Sequence, residues 1–230
     1  RVLFRSWQNE QVQEKMLDIF RFWADRGVDG FRLDVFNAYF KDKDFKDNPK
    51  TLLGIRPFDR MRHLYDIDQP ELIKFIQRLR KMLEKYPESY VVGETFLDGY
   101  KKAAEYCVPG LLHAAFNFDF INTIWRADFF KDRIFEWQSA LHPDTWPSLV
   151  LNNHDNPRSA TRFGKREDDA RMKVAAAMLL TLRGTPFLYA GEEIGMRDIR
   201  ISREEVQDPI GKYYWRSEER RVGKECRSRW

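Results

Sequence analysis

Residues 9–35 read NEQVQEKMLDIFRFWADRGVDGFRLDV, and the two halves of this stretch have different periods. In the first half Val12, Met16, Ile19, Phe20 and Trp23 recur at the three- and four-residue steps of one helical face. Gly27 stands where a helix ends on a left-handed C′ residue. The second half, VDGFRLDV (28–35), is a short strand-like run that ends in charge. A helix followed at once by a strand is the repeating unit of an α/β chain.

Outward from this stretch the alternation recurs. Asp68, Gln69 and Pro70 open a second helix, with proline near its first turn. Its stripe is Leu72, Phe75, Ile76, Leu79 and Leu83, and Tyr86-Pro87 closes it. Tyr90-Val91-Val92-Gly93 predicts a strand ending at Glu94. LLHAAFNFDF (111–120) predicts another, leading into a helix from about Ile121. SLVLNNHD (148–155) is an apolar strand with a polar end. A helix over about 167–183 follows, carrying Met172, Ala175, Ala176, Leu179 and Leu180, and TPFLYAGEE (185–193) predicts the last strand. Five strands, each next to a helix, predict an α/β class with a parallel sheet. Segment 36–68 is long and irregular, as a functional loop between a strand and its helix would be.

Composition narrows the function. With 230 residues, 43% of them apolar, the chain is long enough to bury a core. No run approaches the roughly 18 apolar residues of a membrane span, and no signal peptide is read at its start. Two cysteines, Cys107 and Cys226, make neither a disulfide framework nor a zinc site and predict a reducing, cytoplasmic setting. The net charge is +4, but residues 216–230 carry +3 and residues 1–6 carry +2, leaving −1 between them. A terminal basic excess is not a phosphate-binding groove, which argues against a nucleic-acid partner. Both ends lack the interior's periodicity; 1–6 and 216–230 are expected to be a non-native lead and tail around a folded body over 7–215.

The acids fall at strand ends. Asp34, Glu94, Asp155 and Glu192 all stand at or just beyond the carboxyl end of an expected strand. In a parallel α/β barrel those ends form the face that carries active sites. A doubly wound nucleotide-binding sheet would use the same edge, but no G-x-G-x-x-G or G-x-x-x-x-G-K-[ST] follows a strand. Acids on one face suit glycosidic bond cleavage, which needs a proton donor and a carboxylate that traps or stabilises the oxocarbenium-like centre. Arg32 lies two residues before Asp34, so both side chains share a strand face and the guanidinium can hold the carboxylate ionised. Glu94 closes an apolar strand, a place that suits the acid, and His154-Asp155 could bind sugar hydroxyls. On spacing alone, Arg-x-Asp is equally the pattern of a structural ion pair and Asn-His-Asp that of a turn. His63, His113, His142 and His154 show no metal-ligand spacing, so no metal site is expected in this segment.

Taken together, the strings resemble the α-amylase superfamily, glycoside hydrolase family 13. GFRLDVFN (30–37), VVGETF (91–96) and LNNHDNPR (151–158) resemble its strand-four, strand-five and strand-seven motifs, in that order. FRFWADRGVDG (20–30), AFNFDF (115–120), TPFLYAGEEIGM (185–196) and QDPIGKYYW (207–215) resemble its α-glucosidase and oligo-1,6-glucosidase branch. The resemblance implies a partial (β/α)8 TIM barrel, approximately strands four to eight. It implies Asp34 as nucleophile, Glu94 as general acid and then base, and Asp155 as the carboxylate that binds and stabilises the distorted ring. Arg32 and His154 would position substrate and charge, and Arg158 would help close an exo-acting pocket. Val35, just after the nucleophile, tilts linkage preference toward α-1,6 or mixed action.

The activity implied is exo-acting, retaining hydrolysis of short α-glucosides, with an oligosaccharide substrate and no membrane or nucleic-acid partner. Two alternatives stand beside it. One is a transglycosylase such as a sucrose isomerase or trehalose-forming enzyme. The other is a non-catalytic, partner-binding ectodomain, which the three acids disfavour. The Lys-His pair that amylases carry after the nucleophile is absent here, where Asn37 and Ala38 stand, and this argues against an endo-amylase. The strand-three motif has no counterpart in the sequence. The isolated chain is therefore expected to be inactive, with no cofactor in this segment and any calcium site in the part it lacks.

Overall fold

The computed structural model describes residues 7–52, 57–95, 99–164, 169–199, 201–207 and 211–213. The expected lead 1–6 and tail 216–230 lie outside the described residues. Helices and strands alternate as the sequence predicts, and the chain divides into two compact units. Unit 1 holds residues 1–117 and 135–147, and unit 2 holds 118–134 and 148–230.

In unit 1, α1 (Glu10–Ala24) starts on Asn9, whose side chain accepts the Gln11 N–H at 2.9 Å. It ends in a Schellman pattern. Gly27 takes φ +86°, its N–H bonds Ala24 O at 3.0 Å, and the Val28 N–H bonds Trp23 O at 3.2 Å. The buried face overlaps only in part the one periodicity picked. Leu17 and Ala24 are buried, with Met16 and Phe20 packed beside them, while Ile19, Phe22 and Trp23 are exposed. The helix has two apolar edges, and beside the one that turns inward Arg78 of α2 (Glu71–Leu83) bonds Gln13 at 2.8 Å, Glu10 at 2.6 Å and Glu14.

Strands β1 (Gly30–Leu33), β2 (Tyr90–Glu94) and β3 (Ala114–Phe116) form a parallel sheet in that order. Its register pairs Leu33 with Gly93 and Glu94 with Phe116. All five apolar positions expected on α2 are buried in the core, which also takes in Leu33, Phe36, Phe40 and Val91. Helix α3 (Tyr100–Glu105) is an element the sequence reading did not pick out. Ala103 and Ala104 of it join Cys107, Ala115, Trp137 and Leu141 in a second cluster.

The helix expected from about Ile121 begins later, as α4 (Ala127–Ala140), whose first turns belong to unit 2 and whose last turns belong to unit 1. Asn122 and Thr123 explain the delay. Their side chains donate to the carbonyls of Phe118 (3.1 Å) and Asp119 (2.8 Å), competing with helical propagation. In unit 2, β4 (Ser148–Val150) and β5 (Thr185–Phe187) pair in parallel, Ser148 opposite Thr185. Helices α5 (Ser159–Phe163) and α6 (Asp169–Thr181) complete it around Phe120, Phe130, Leu149, Leu151, Phe163, Ala175 and Leu179. No helix among the described residues is long and apolar enough to cross a membrane.

Candidate active site

The carboxyl ends of β1 and β2 bring three expected site residues together. Asp34 follows the last residue of β1, and Glu94 is the last residue of β2. Because Leu33 pairs with Gly93, the next step along each strand sets Asp34 beside Glu94. Arg32 spans the two. One guanidinium nitrogen, Nη1, donates to Asp34 Oδ1 at 2.8 Å, and the other, Nη2, donates to Glu94 Oε2 at 2.5 Å. The fork geometry of arginine makes this double contact from two separate nitrogens held in one plane. The two acids have different surroundings: the Asp34 side chain is 70% exposed and that of Glu94 is 6% exposed.

The turn after Asp34 is built to hold this arrangement. Val35 lies in the left-handed region (φ 42°, ψ 43°), an uncommon and costly conformation for a β-branched residue. It reverses the chain into a 3-10 turn, Phe36–Ala38. Phe36 is fully buried and packs edge-on against Tyr106, with ring centroids 4.8 Å apart. The buried Asn37 offers its carbonyl to the Asp68 N–H at 2.8 Å, and Tyr106 Oη donates to the Asp68 carboxylate. Gly93, in front of Glu94, makes room for Phe36: a Cβ there would sit 2.4 Å from its Cε1.

Tyr39 was not anticipated from the sequence. Its ring stacks on Trp7 at 4.5 Å, and its phenol is pushed up to about 12, first by burial and then by the charge of Asp34, with Glu94 adding to it and Arg32 opposing. It therefore stays a neutral hydroxyl within the field of both acids. An unbroken strand through Val35 would have hidden it; the left-handed turn is what brings it near, and nothing in the local sequence signals that turn.

In unit 2, Asn153 shapes the motif after β4. Its Oδ1 accepts the N–H groups of Asp155 (3.1 Å) and Asn156 (3.0 Å), an Asx turn that leaves Asp155 65% exposed. His154 Nε2 lies 3.5 Å from Asp155 Oδ2. Arg158 precedes α5, donates from Nη1 to Ala190 O at 2.8 Å, and lies 4.7 Å over the Tyr189 ring. Glu192, the fourth strand-end acid, is committed locally. Its oxygens accept Ser159 Oγ at 2.9 Å and the Tyr189 N–H at 3.1 Å. Among the described residues no group of three or more His, Cys, Asp or Glu could hold a metal.

Parallel strands alternating with helices, with acids gathered at the strands' carboxyl ends, define a (β/α)-type domain with its candidate site on the usual face, and the comparisons identify its family. The chain belongs to the α-amylase catalytic-domain family, whose profile matches residues 5–214. That domain is a (β/α)8 barrel, of which this chain carries a part. It is 34% identical over 224 residues to a probable α-glucosidase of Rhizobium meliloti, covering 90% of this chain and 40% of that protein. It is also 34% identical over 224 residues to an oligo-1,6-glucosidase of Parageobacillus thermoglucosidasius, covering 88% of this chain and 38% of that one. The crystal structure of an α-glucosyl transfer enzyme, XgtA, superposes with a TM-score of 0.85 at 34% identity, covering 92% of this chain and 41% of that one. The chain thus spans about two fifths of the length of the curated relatives it matches.

Proposed function

We propose that this chain is the acid-bearing portion of a retaining, exo-acting α-glucosidase that hydrolyses short α-1,6- or α-1,4-linked glucosides. The observation that carries this reading is the Arg32 bridge between Asp34 and Glu94. Both carboxyls lie within reach of one guanidinium, a closeness that suits double displacement, which uses acids roughly 5–5.5 Å apart. Asp34, open to solvent, attacks the anomeric carbon. Glu94, walled off from solvent, gives its proton to the leaving oxygen and then takes one from water. The family resemblance assigns Asp155 and His154 to the ring hydroxyls, Arg158 to pocket closure and Val35 to the choice of linkage. The scarcity of cysteine supports a reducing, cytoplasmic setting.

The test uses the complete gene product with 4-nitrophenyl α-glucoside. Asp34→Asn is expected to lower kcat by at least about 10³-fold, the scale of losing one member of a catalytic unit, with the melting temperature little changed. The wild type is expected to release glucose with retained configuration. Full activity in Asp34→Asn, or inverted product, would overturn the reading. A second reading, glucosyl transfer to a sugar acceptor, is supported by the likeness to XgtA. An isomeric disaccharide in place of free glucose would favour it.

A further inference from the structure

We propose that Arg162 is a positioning residue, resting on the function proposed above: through it, α5 sets where Asp155 points. Arg162 Nη2 donates to the carbonyl of Leu151, one residue beyond the end of β4. Among the described residues its Nε and Nη1 are buried without a hydrogen-bond partner, and so are both polar side-chain atoms of Asn152, a residue only 3% exposed. Burial pulls the guanidinium down to about 10, against the pull of Glu192 and Asp198, so it remains charged at neutral pH. Such a cation is costly to bury, and an apolar side chain of similar volume would fill the space more cheaply. What an apolar side chain could not do is hold the Leu151 carbonyl.

That carbonyl is the first one past the β4–β5 ladder, and its direction sets the path of the next four residues. They are Asn152, Asn153, His154 and Asp155, the last fixed within the turn by Asn153. On its other side α5 is tied to the segment after β5. The Arg158 N–H bonds Asp198 Oδ2 (2.9 Å), and Ser159 Oγ bonds Glu192 (2.9 Å). The Asp198 N–H bonds Thr161 Oγ1 (2.8 Å), and Arg197 bonds Ala160 O (2.6 Å). A five-residue helix is too short to hold itself, and these bonds turn it into a bracket. The bracket presents Arg158 at its start and steadies the Asp155 turn from its last polar residue.

The complete gene product tests this with Arg162→Met, Arg162→Lys, Asp155→Asn and the double variant Arg162→Met/Asp155→Asn. Readouts are kcat, KM and melting temperature, with active sites counted by a mechanism-based fluoroglucoside. Arg162→Met is expected to lower kcat per titrated site by about 30-fold with KM changed less than about threefold, since a mispositioned acid acts on the transition state. Arg162→Lys, whose ammonium can still reach the carbonyl, recovers most of the loss. In the Asp155→Asn background the methionine variant costs less than about threefold more, because both changes disable one group.

A merely structural role would lower the folded fraction and leave kcat per titrated site unchanged, and that result overturns the proposal, as does full additivity in the double variant. If Arg162→Met does not fold, Thr161→Val loosens the same bracket at its Asp198 bond and is read against Asp155→Asn in the same way. Wild type without glucosidase turnover would sink the proposed function and this inference with it. Turnover with an unaffected Arg162→Met would sink this inference alone.

Discussion

Gly93→Ala puts the packing behind the acids to a quantitative test. An added Cβ would lie 2.4 and 2.8 Å from Phe36 Cε1 and Cδ1 and 2.6 Å from Leu112 Cδ1. Ordinary contact begins near 3.4 Å, so these side chains must retreat by about 1 Å in a region where Phe36 is 0% and Leu112 4% exposed. Overpacking of this kind costs about 1–3 kcal/mol. For a domain of about 150–250 residues that lowers the melting temperature by about 2–12 °C, and the longer complete gene product falls toward the low end. The displaced ring lies two residues after Asp34, and Glu94 is the next residue along β2. A misplacement near 1 Å at reacting groups can cost about 10²-fold, so kcat should fall at least tenfold at a temperature where the variant is folded.

Phe36→Leu removes the obstructing ring edge. The double variant Gly93→Ala/Phe36→Leu should therefore be more stable than the sum of the single changes by about 1 kcal/mol. Gly27→Ala serves as the control. Among the described residues, chain neighbours aside, no atom lies within 4 Å of its added Cβ, so its cost comes from φ +86° and should not couple to Phe36. Thermal melts and steady-state rates on the complete gene product decide the matter. A Gly93→Ala protein that melts like the wild type, or strict additivity with Phe36→Leu, would refute the packing argument.

At Val35, substitution should separate backbone strain from side-chain contact. Val35→Gly relieves a left-handed cost of about 1–2 kcal/mol while losing a half-buried side chain, whereas Val35→Ala keeps the strain and loses the contact. Denaturant melts should accordingly rank glycine above alanine, and the opposite rank would show that φ carries no strain here. Val35→Thr should shift kcat/KM toward maltose over isomaltose by about tenfold, within what one pocket position supplies; product assays on the two sugars check it. His113 should make the fold acid-sensitive. Burial, and next the Arg80 guanidinium, lower its imidazole from 6.5 to about 4, while Nδ1 accepts the Val91 N–H at 3.0 Å. Above pH 6.5 the ring is neutral folded and unfolded. Below it only the unfolded chain takes the proton, so stability falls between about pH 6.5 and 4 and then levels off. His113→Gln should flatten that window in a pH series of melts, and an unchanged slope would count against the assignment.

What the sequence could reveal depended on the range over which each feature is determined. The stripe of α2 was legible because five apolar residues at helical spacing admit one buried face. The face of α1 was legible only in part: Met16 and Phe20 pack on the core, but Ile19 and Trp23 compete with Leu17 and Ala24, and the choice rests on what α2 and the sheet offer far along the chain. The start of α4 was missed because Asn122 and Thr123 bond their own backbone, an effect that apolar periodicity ignores.

The site divides along the same line. Arg32 and Asp34 share a face through two-residue alternation alone, and Glu94 joins them through the register of two adjacent strands. Gly93 looks uninformative as a letter; its meaning is the space it leaves for a ring contributed by the preceding strand's loop. Val35 goes further, since a valine is among the residues least expected at positive φ. Reading 28–35 as a continuing strand would place residues 36 and 38 on the face of Asp34. The turn at Val35 instead sends Phe36 beneath Gly93 and carries Tyr39 into the field of the two acids. A feature that contradicts local propensity has to be held by its surroundings. Here they are the Phe36–Tyr106 contact and the Asp68–Asn37 hydrogen bond, both made by residues far along the chain. The residues that orient the acids are therefore the ones a linear reading reaches last.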